Sequence, residues 1–225
     1  MSAFDRLHPG VRKWIWRQGW QGLRDVQEQA IPPISDGRQD VILAAATAAG
    51  KTEAAFLPIL SNLAGQAGGS IRALCVSPLK ALINDQHERL TGMAEGLDVP
   101  VHKWHGDVDG GRKQRLRNQP QGILLITPES LEATFVRRGF EVPGFFRHLA
   151  YVVVDELHAF LGPGHRFLPL SLPDPFHVNR LTTEFYFLLC FRSQIFVGID
   201  IRVLIGEQAS DIFAHRSFEV RLNPP

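Results

Sequence analysis

The stretch that decides the fold runs Asp40-Val41-Ile42-Leu43-Ala44-Ala45-Ala46-Thr47-Ala48-Ala49-Gly50-Lys51-Thr52. Asp40 to Ala45 is a nearly continuous apolar run of strand length, as expected of a strand covered on both faces. From Lys51 to Leu63 apolar residues recur at helical spacing. A loop between such a strand and such a helix is where phosphate is bound, because backbone N–H groups and the helix N-terminus point outward together. In that arrangement the backbone of Thr47, Ala48, Ala49 and Gly50 faces a β-phosphate. Lys51 adds a point charge for the β and γ phosphates, and the Thr52 hydroxyl ligates Mg²⁺. A plain strand-to-helix turn, with Gly50 relieving crowding and Lys51 in solvent, uses the same residue types, but the complete strand, loop and helix favour the phosphate loop. Ala45 stands where the general pattern has its first glycine. With Ala48 and Ala49 at positions often given to Gly or Ser, the loop is expected to avoid positive φ there.

Outward from this loop the alternation continues. Ala73 to Ser77, Ile123 to Thr127 and Tyr151 to Asp155 are further apolar runs, and Leu79 to Met93 and Glu129 to Arg138 have helical spacing. Strands alternating with helices predict an α/β fold, with a mostly parallel sheet and helices on both faces. Upstream, Gln18 to Ile34 reads as a helix stopped by Pro32-Pro33. After Gly162 the texture changes, with prolines at 163, 169, 173 and 175 and no clear period, so an irregular C-terminal tail is expected. The expected organisation is a helical region over 1–38, a nucleotide-binding domain over 39–164 and a tail over 165–225.

A second chemical signal is Tyr151-Val152-Val153-Val154-Asp155-Glu156-Leu157-His158. The C-terminal ends of strands form the ligand-binding edge of an α/β sheet, and this one delivers two carboxylates there. Asp155 is expected to hold Mg²⁺ through water, and Glu156 to orient or deprotonate the attacking water. Downstream of a phosphate loop the pair completes a nucleotide hydrolysis site, with Lys51, Asp155 and Glu156 as catalytic candidates.

Composition adds limits. Of 225 residues, 24 are basic and 23 acidic, a formal charge of +1, so no strongly basic tail serves as the main binding device. The late apolar stretch Phe185 to Ile205 is broken by Arg192, Gln194, Asp200 and Arg202, which argues against a membrane span. Cys75 and Cys190 have no metal-ligand spacing, and the first ten residues have no signal-peptide pattern. A reducing, cytoplasmic setting is the expectation.

The motifs, in their order, resemble the N-terminal RecA-like domain of the superfamily 2 DEAD/DEAH-box helicases, in particular the Lhr-like branch. Leu23 to Pro32 is similar to the Q-motif region, which implies that Gln27 reads the adenine edge and that the upstream Phe4 stacks on the base. Trp14 and Trp16 are expected to be packing residues. Motif I is Ala45 to Thr52. Ser77-Pro78-Leu79-Lys80 resembles motif Ia and Thr127-Pro128-Glu129 resembles motif Ib, which implies contacts to a sugar-phosphate backbone through Ser77, Pro78, Lys80, Thr127, Pro128 and Glu129. Either dipeptide alone is commonly a helix cap, whereas the paired placement favours strand binding. His105-Gly106-Asp107 sits where the branch carries another strand-contacting loop. Asp155-Glu156-Leu157-His158 is similar to the DExH form of motif II, which implies that His158 couples nucleotide state to the rest of the domain; spacing alone favours a satisfied core histidine.

The resemblance implies a RecA-like P-loop domain that uses ATP and Mg²⁺ and binds nucleic acid, DNA or RNA. It ends near Pro163, and the expected continuation into a Ser-Ala-Thr motif and a second RecA-like domain does not follow, so that domain is expected to act in trans if at all. The cluster Arg112-Lys113-Gln114-Arg115-Leu116-Arg117, placed before the third apolar run, suits an electrostatic track and a solvated helix face equally. Two other function classes share part of these residues: a P-loop enzyme of another kind, which does not need the Ser-Pro and Thr-Pro edges, and a non-catalytic nucleotide- or nucleic-acid-binding fragment.

Overall fold

The four apolar runs form β1 (Asp40–Ala44), β2 (Ala73–Val76), β4 (Ile123–Ile126) and β5 (Tyr151–Val154), joined by β3 (Val101–Trp104), β6 (Arg202–Ile205) and β7 (Ser217–Arg221). The computed structural model describes residues 2–46, 48–66 and 68–156, together with the strands 202–205 and 217–221. The sheet order is β3-β4-β2-β5-β6-β1-β7, and every pairing is parallel. Parallel neighbours need crossovers, supplied among others by α3 (Lys51–Leu63), α4 (Lys80–Met93), α5 (Gly110–Asn118), α6 (Pro128–Arg138) and the short α7 (Val142–Phe145).

Alternation along the strands makes two cores. Val41, Leu43, Ala73, Cys75, Ile123, Leu125 and Val153 pack on one face with Phe56, Leu57 and Leu60 of α3. Ile42, Leu74, Val76, Leu124, Ile126, Val152 and Val154 pack on the other with Leu131, Phe145 and Phe146. Burying each large apolar side chain stabilises by about 1.5–3 kcal/mol, so strands wedged between two such layers must be apolar at every position. That is why these runs announce themselves.

Several elements differ from expectation for identifiable reasons. Val101-His102-Lys103-Trp104 is not an apolar run, yet it is a strand, because β3 lies at the sheet edge where half-buried His102 and Lys103 are tolerated. The run Ile123–Ile126 is therefore the fourth strand. The expected helix from Gln18 to Ile34 is instead two helices, α1 (Pro9–Arg17) and α2 (Asp25–Asp36). Pro32 and Pro33 sit inside α2 and do not stop it. Each removes one backbone donor, but the carbonyls that lose a partner belong to Glu28 and Gln29 on the exposed face, while Ile31 and Ile34 stay fully buried. The helix ends at Gly37, whose φ of 66° supplies the left-handed cap.

The N-terminal helices bury Val11, Ile15, Val26, Ala30 and Ile31 in the same core as β1 and α3. Trp14 packs edge-on against Trp20, ring centroids 5.5 Å apart. Trp16, expected to pack, is 82% exposed. The tail was expected to be irregular; β6 and β7 flank β1 there, and its other residues lie outside the described ones. No helix among the described residues is long and apolar enough to cross a membrane.

Candidate nucleotide site and nucleic-acid face

Sheet register assembles one row of polar side chains. Val76 pairs with Val154 and with Ile126, and Ile126 pairs with Trp104. The next residue on each strand is Asp155, Ser77, Thr127 and His105, so these four stand side by side at the C-terminal edge. All four are buried, and buried polar groups need partners, so the row is a built feature of the fold.

The phosphate loop leaves the same edge from β1. Gly50, at φ 89°, caps α3, and Lys51 opens it. The Lys51 ammonium donates to the carbonyl oxygens of Ala45 at 2.6 Å and Ala46 at 3.2 Å, so the cation is folded over its own loop. Thr52 follows, half-buried in the first turn, and Thr47 lies outside the described residues. Ala48 corrects the expectation of a loop without positive φ there: its φ is 62°. A non-glycine residue in that region costs of order 1–3 kcal/mol. The Arg24 guanidinium, brought by the N-terminus of α2, donates to the Ala48 carbonyl oxygen and holds it there.

Gln27 is 1% exposed. Its Oε1 accepts from the Arg24 backbone N–H at 3.0 Å. Its amide nitrogen lies against Gly50, where a Cβ would approach within 2.7 Å. The side chain expected to read the base is thus also a strut between α2 and the loop. Gly50→Ala should therefore combine a strained φ with a clash against Gln27. A loss of about 1–3 kcal/mol in urea unfolding is expected, together with weakened nucleotide binding; an unchanged midpoint would refute the crowding. Phe4 sits in a single 3₁₀ turn, partly buried against the helical core.

At the acidic end, Asp155 Oδ2 accepts from the Ser77 hydroxyl at 3.4 Å and from the Gln86 amide of α4. Burial pushes the Asp155 carboxyl above its ordinary range; the neighbouring Glu156 charge adds to this, while the Gln86 and Ser77 donors and the Glu156 backbone N–H oppose it. Glu156, two residues after the end of β5, has left-handed backbone with φ 52°. A hydroxyl in the first turn of a helix and a buried carboxylate with no ion-pair partner among the described residues are the oxygen donors that a hard cation takes; the residues present fit Mg²⁺. Ser77, expected on the nucleic-acid face, has no exposed surface. The register of β2 against β5 turns its hydroxyl toward Asp155, so it belongs to the acidic centre.

The remaining expected strand contacts lie along the other half of the edge. Lys80 is exposed at the start of α4 and pairs with Asp107 at 2.9 Å, which holds that carboxyl below its usual range. Thr127 caps α6 by accepting from Ser130 N–H at 3.4 Å. Pro128 is buried, Pro78 is half-buried and Glu129 is exposed. His105 is buried with Nε2 3.4 Å from Asn84 Oδ1. A cleft of about 440 Å³ opens beside it between Lys103, Asp107, Val108, Asp109 and Arg112. The cationic cluster lies on α5: Leu116 is buried, Arg117 stacks over Trp104 at 5.8 Å, and Arg112 and Arg115 are exposed. His158 lies outside the described residues.

Three contributors were not anticipated. Gln86 and Arg24 hold Asp155 and Ala48, and Glu53, one residue after Thr52 and buried, pairs with Arg89 of α4. Gln86 has a sequence signal, since it interrupts the apolar stripe Ile83, Leu90 and Met93 of α4. A polar residue in such a stripe must meet a buried partner.

Comparison with known proteins agrees with this geometry. The family pattern described as DEAD/DEAH box helicase matches residues 24–168. The ATP-dependent helicase Lhr-Core of Methanothermobacter thermautotrophicus is 34% identical over 185 residues, covering 74% of this chain and 20% of that protein. The ATP-dependent RNA helicase CshA of Limosilactobacillus reuteri is 31% identical over 158 residues, covering 70% and 31%. The chain spans about a fifth of the length of the Lhr-Core relatives. Among solved structures, Mycobacterium smegmatis helicase Lhr bound to ssDNA and AMP-PNP aligns with a TM-score of 0.69 at 24% identity, over 92% of this chain and 25% of that one. A hypothetical ATP-dependent RNA helicase from Sulfolobus tokodaii aligns with a TM-score of 0.67 at 19% identity, over 94% and 56%. With its phosphate loop and its Asp-Glu strand on one edge of a RecA-like parallel sheet, and with the family pattern spanning more than half of its length, this chain belongs to the DEAD/DEAH box helicase family.

Proposed function

We propose that this chain is the ATP-binding motor domain of a nucleic-acid helicase, taking Mg-ATP at the edge of β1 and β5 and a single strand along the edge of β2, β3 and β4. The observation that carries the reading is the common edge on which Lys51, Thr52, Asp155 and Glu156 stand. Lys51 exchanges the Ala45 and Ala46 carbonyls for phosphate oxygens, Gln27 selects the base and Phe4 stacks on it. Thr52 and Asp155 hold Mg²⁺, which when bound neutralises charge on the phosphates. Glu156 accepts the proton of the attacking water. His158 transmits nucleotide state, a second RecA-like domain acts from elsewhere, and the setting is cytoplasmic.

The strand side rests on Lys80, the α6 N-terminus at Thr127 and the cations of α5, none of which reads base edges. Binding should therefore be weak, independent of sequence and steeply dependent on salt, because each neutralised phosphate releases counterions. Filter binding of a labelled oligonucleotide between low and physiological salt measures this, alongside phosphate release. Lys80→Ala should reduce the salt slope by roughly one. Asp107→Asn, which frees Lys80 from its 2.9 Å partner, should raise affinity. Salt-independent binding would refute the electrostatic contact.

A further inference from the structure

Among the described residues, Asp155 has two side-chain donors, and both reach the same oxygen. The Ser77 hydroxyl and the Gln86 amide converge on Oδ2, leaving Oδ1 as the oxygen that neither side-chain donor occupies; the Glu156 backbone N–H also donates to the carboxyl. Gln86 is 5% exposed and Ser77 has no exposed surface, so neither bond is shared with bulk water.

The orientation of the Gln86 amide is determined by its neighbours. Its Oε1 faces the buried Cys75 thiol, Sγ to Oε1 3.8 Å, and an amide oxygen turned toward a carboxylate would be repelled; the N–H must therefore face Asp155. The helix that carries Gln86 is itself anchored. Ile83 and Leu90 are fully buried on the same stripe, and Arg89, one turn on, pairs with Glu53 of α3. Gln86 thus comes from a rigid element bonded to both the acidic strand and the helix that begins with Lys51 and Thr52.

We propose that Gln86 is a positioning residue for the metal-side carboxylate: together with Ser77 it claims Oδ2 of Asp155, so that Oδ1 is presented to the water shell of Mg²⁺. Without the amide, Asp155 keeps its place in the chain but rotates about its side-chain torsions among several orientations. Residues that hold a metal-side ligand by hydrogen bonds typically affect metal affinity 10- to 100-fold when removed. Gln86 bonds Cys75 and Asp155, and its loss is expected to leave Lys51 and Gln27 unaltered. This rests on the nucleotide-site reading above.

The test is the Mg²⁺ dependence of binding of a fluorescent adenine nucleotide to the full 225-residue chain, measured in EDTA and across a Mg²⁺ series. Gln86→Met keeps the volume and removes the donor. The expected result is a rise of about tenfold in the Mg²⁺ concentration for half-maximal enhancement, with affinity in EDTA unchanged. A general packing defect would instead lower both. Ser77→Ala should shift the same parameter in the same direction. The double variant should fall short of the sum, since both donors serve one oxygen.

Wild-type Mg²⁺ dependence in Gln86→Met overturns the proposal while leaving the nucleotide site standing. A wild-type chain that binds no nucleotide, or ignores Mg²⁺, overturns the nucleotide site itself and this proposal with it. If Gln86→Met does not fold, Ser77→Ala decides: an unshifted Mg²⁺ dependence there overturns the convergence on Oδ2, and a shifted one sustains it.

Discussion

Purified alone, the 225-residue chain is expected to release phosphate from ATP very slowly and to unwind no duplex, although Lys51, Asp155 and Glu156 are in place. As the γ-phosphoryl group leaves, negative charge grows on its oxygens, and an arginine aimed at that charge accelerates related nucleotide hydrolases by about 10³ to 10⁵. In the helicases that this chain resembles, that arginine comes from the second RecA-like domain. Two arginines described near the loop are engaged within the domain: Arg24 donates to Ala48, and Arg89 pairs with Glu53. Unwinding also needs two bodies that close and open on the strand in each cycle. Steady-state phosphate release with and without oligonucleotide measures this. Nucleic-acid-stimulated turnover by the chain alone, abolished by Glu156→Gln, would contradict the expectation.

Lys51→Ala should weaken Mg-nucleotide binding by about 100-fold or more. Two charge-assisted hydrogen bonds to phosphate, each of about 1.5–3 kcal/mol, are lost, and 1.4 kcal/mol corresponds to a factor of ten. Lys51 already bonds the Ala45 and Ala46 carbonyls, so part of the phosphate interaction is offset by breaking these. The variant also frees those carbonyls to relax toward water, which should leave fold stability nearly unchanged. Equilibrium titration with an adenine nucleotide, paired with thermal unfolding, separates the two effects. Unchanged affinity in Lys51→Ala would refute the phosphate loop.

How much of this could be read from sequence depends on where each residue's partners come from. β1, β2, β4 and β5 were legible because both of their faces are buried, so every position after Asp40 at the start of β1 had to be apolar. β3 was not legible, because an edge strand carries no such demand and His102 and Lys103 hide the pattern. The prolines of α2 misled because the stop rule concerns local hydrogen bonds, whereas burial of Ile31 and Ile34 outweighs two lost bonds on an exposed face.

The same division runs through the site. The placement of Lys51, Thr52, Asp155 and Glu156 at one sheet edge was legible because it follows from the ends of β1 and β5, which are apolar runs. The direction of the Ser77 hydroxyl was not, since it depends on the register of β2 against β5, 78 residues away in sequence. The left-handed Ala48 is held by Arg24, 24 residues upstream, which no local rule for alanine anticipates. Gln86 lay between these cases, readable as a polar break in an apolar stripe but without an address for its partner.

The most direct test of the nucleotide site is a crystal structure of the chain with Mg-AMP-PNP. The expected result has the Lys51 ammonium withdrawn from the Ala45 and Ala46 carbonyls onto the β and γ phosphates, with the metal ion between Thr52 and Asp155. A nucleotide bound away from the Ala45–Thr52 loop, or a Lys51 still folded over its own carbonyls with the nucleotide present, would contradict it.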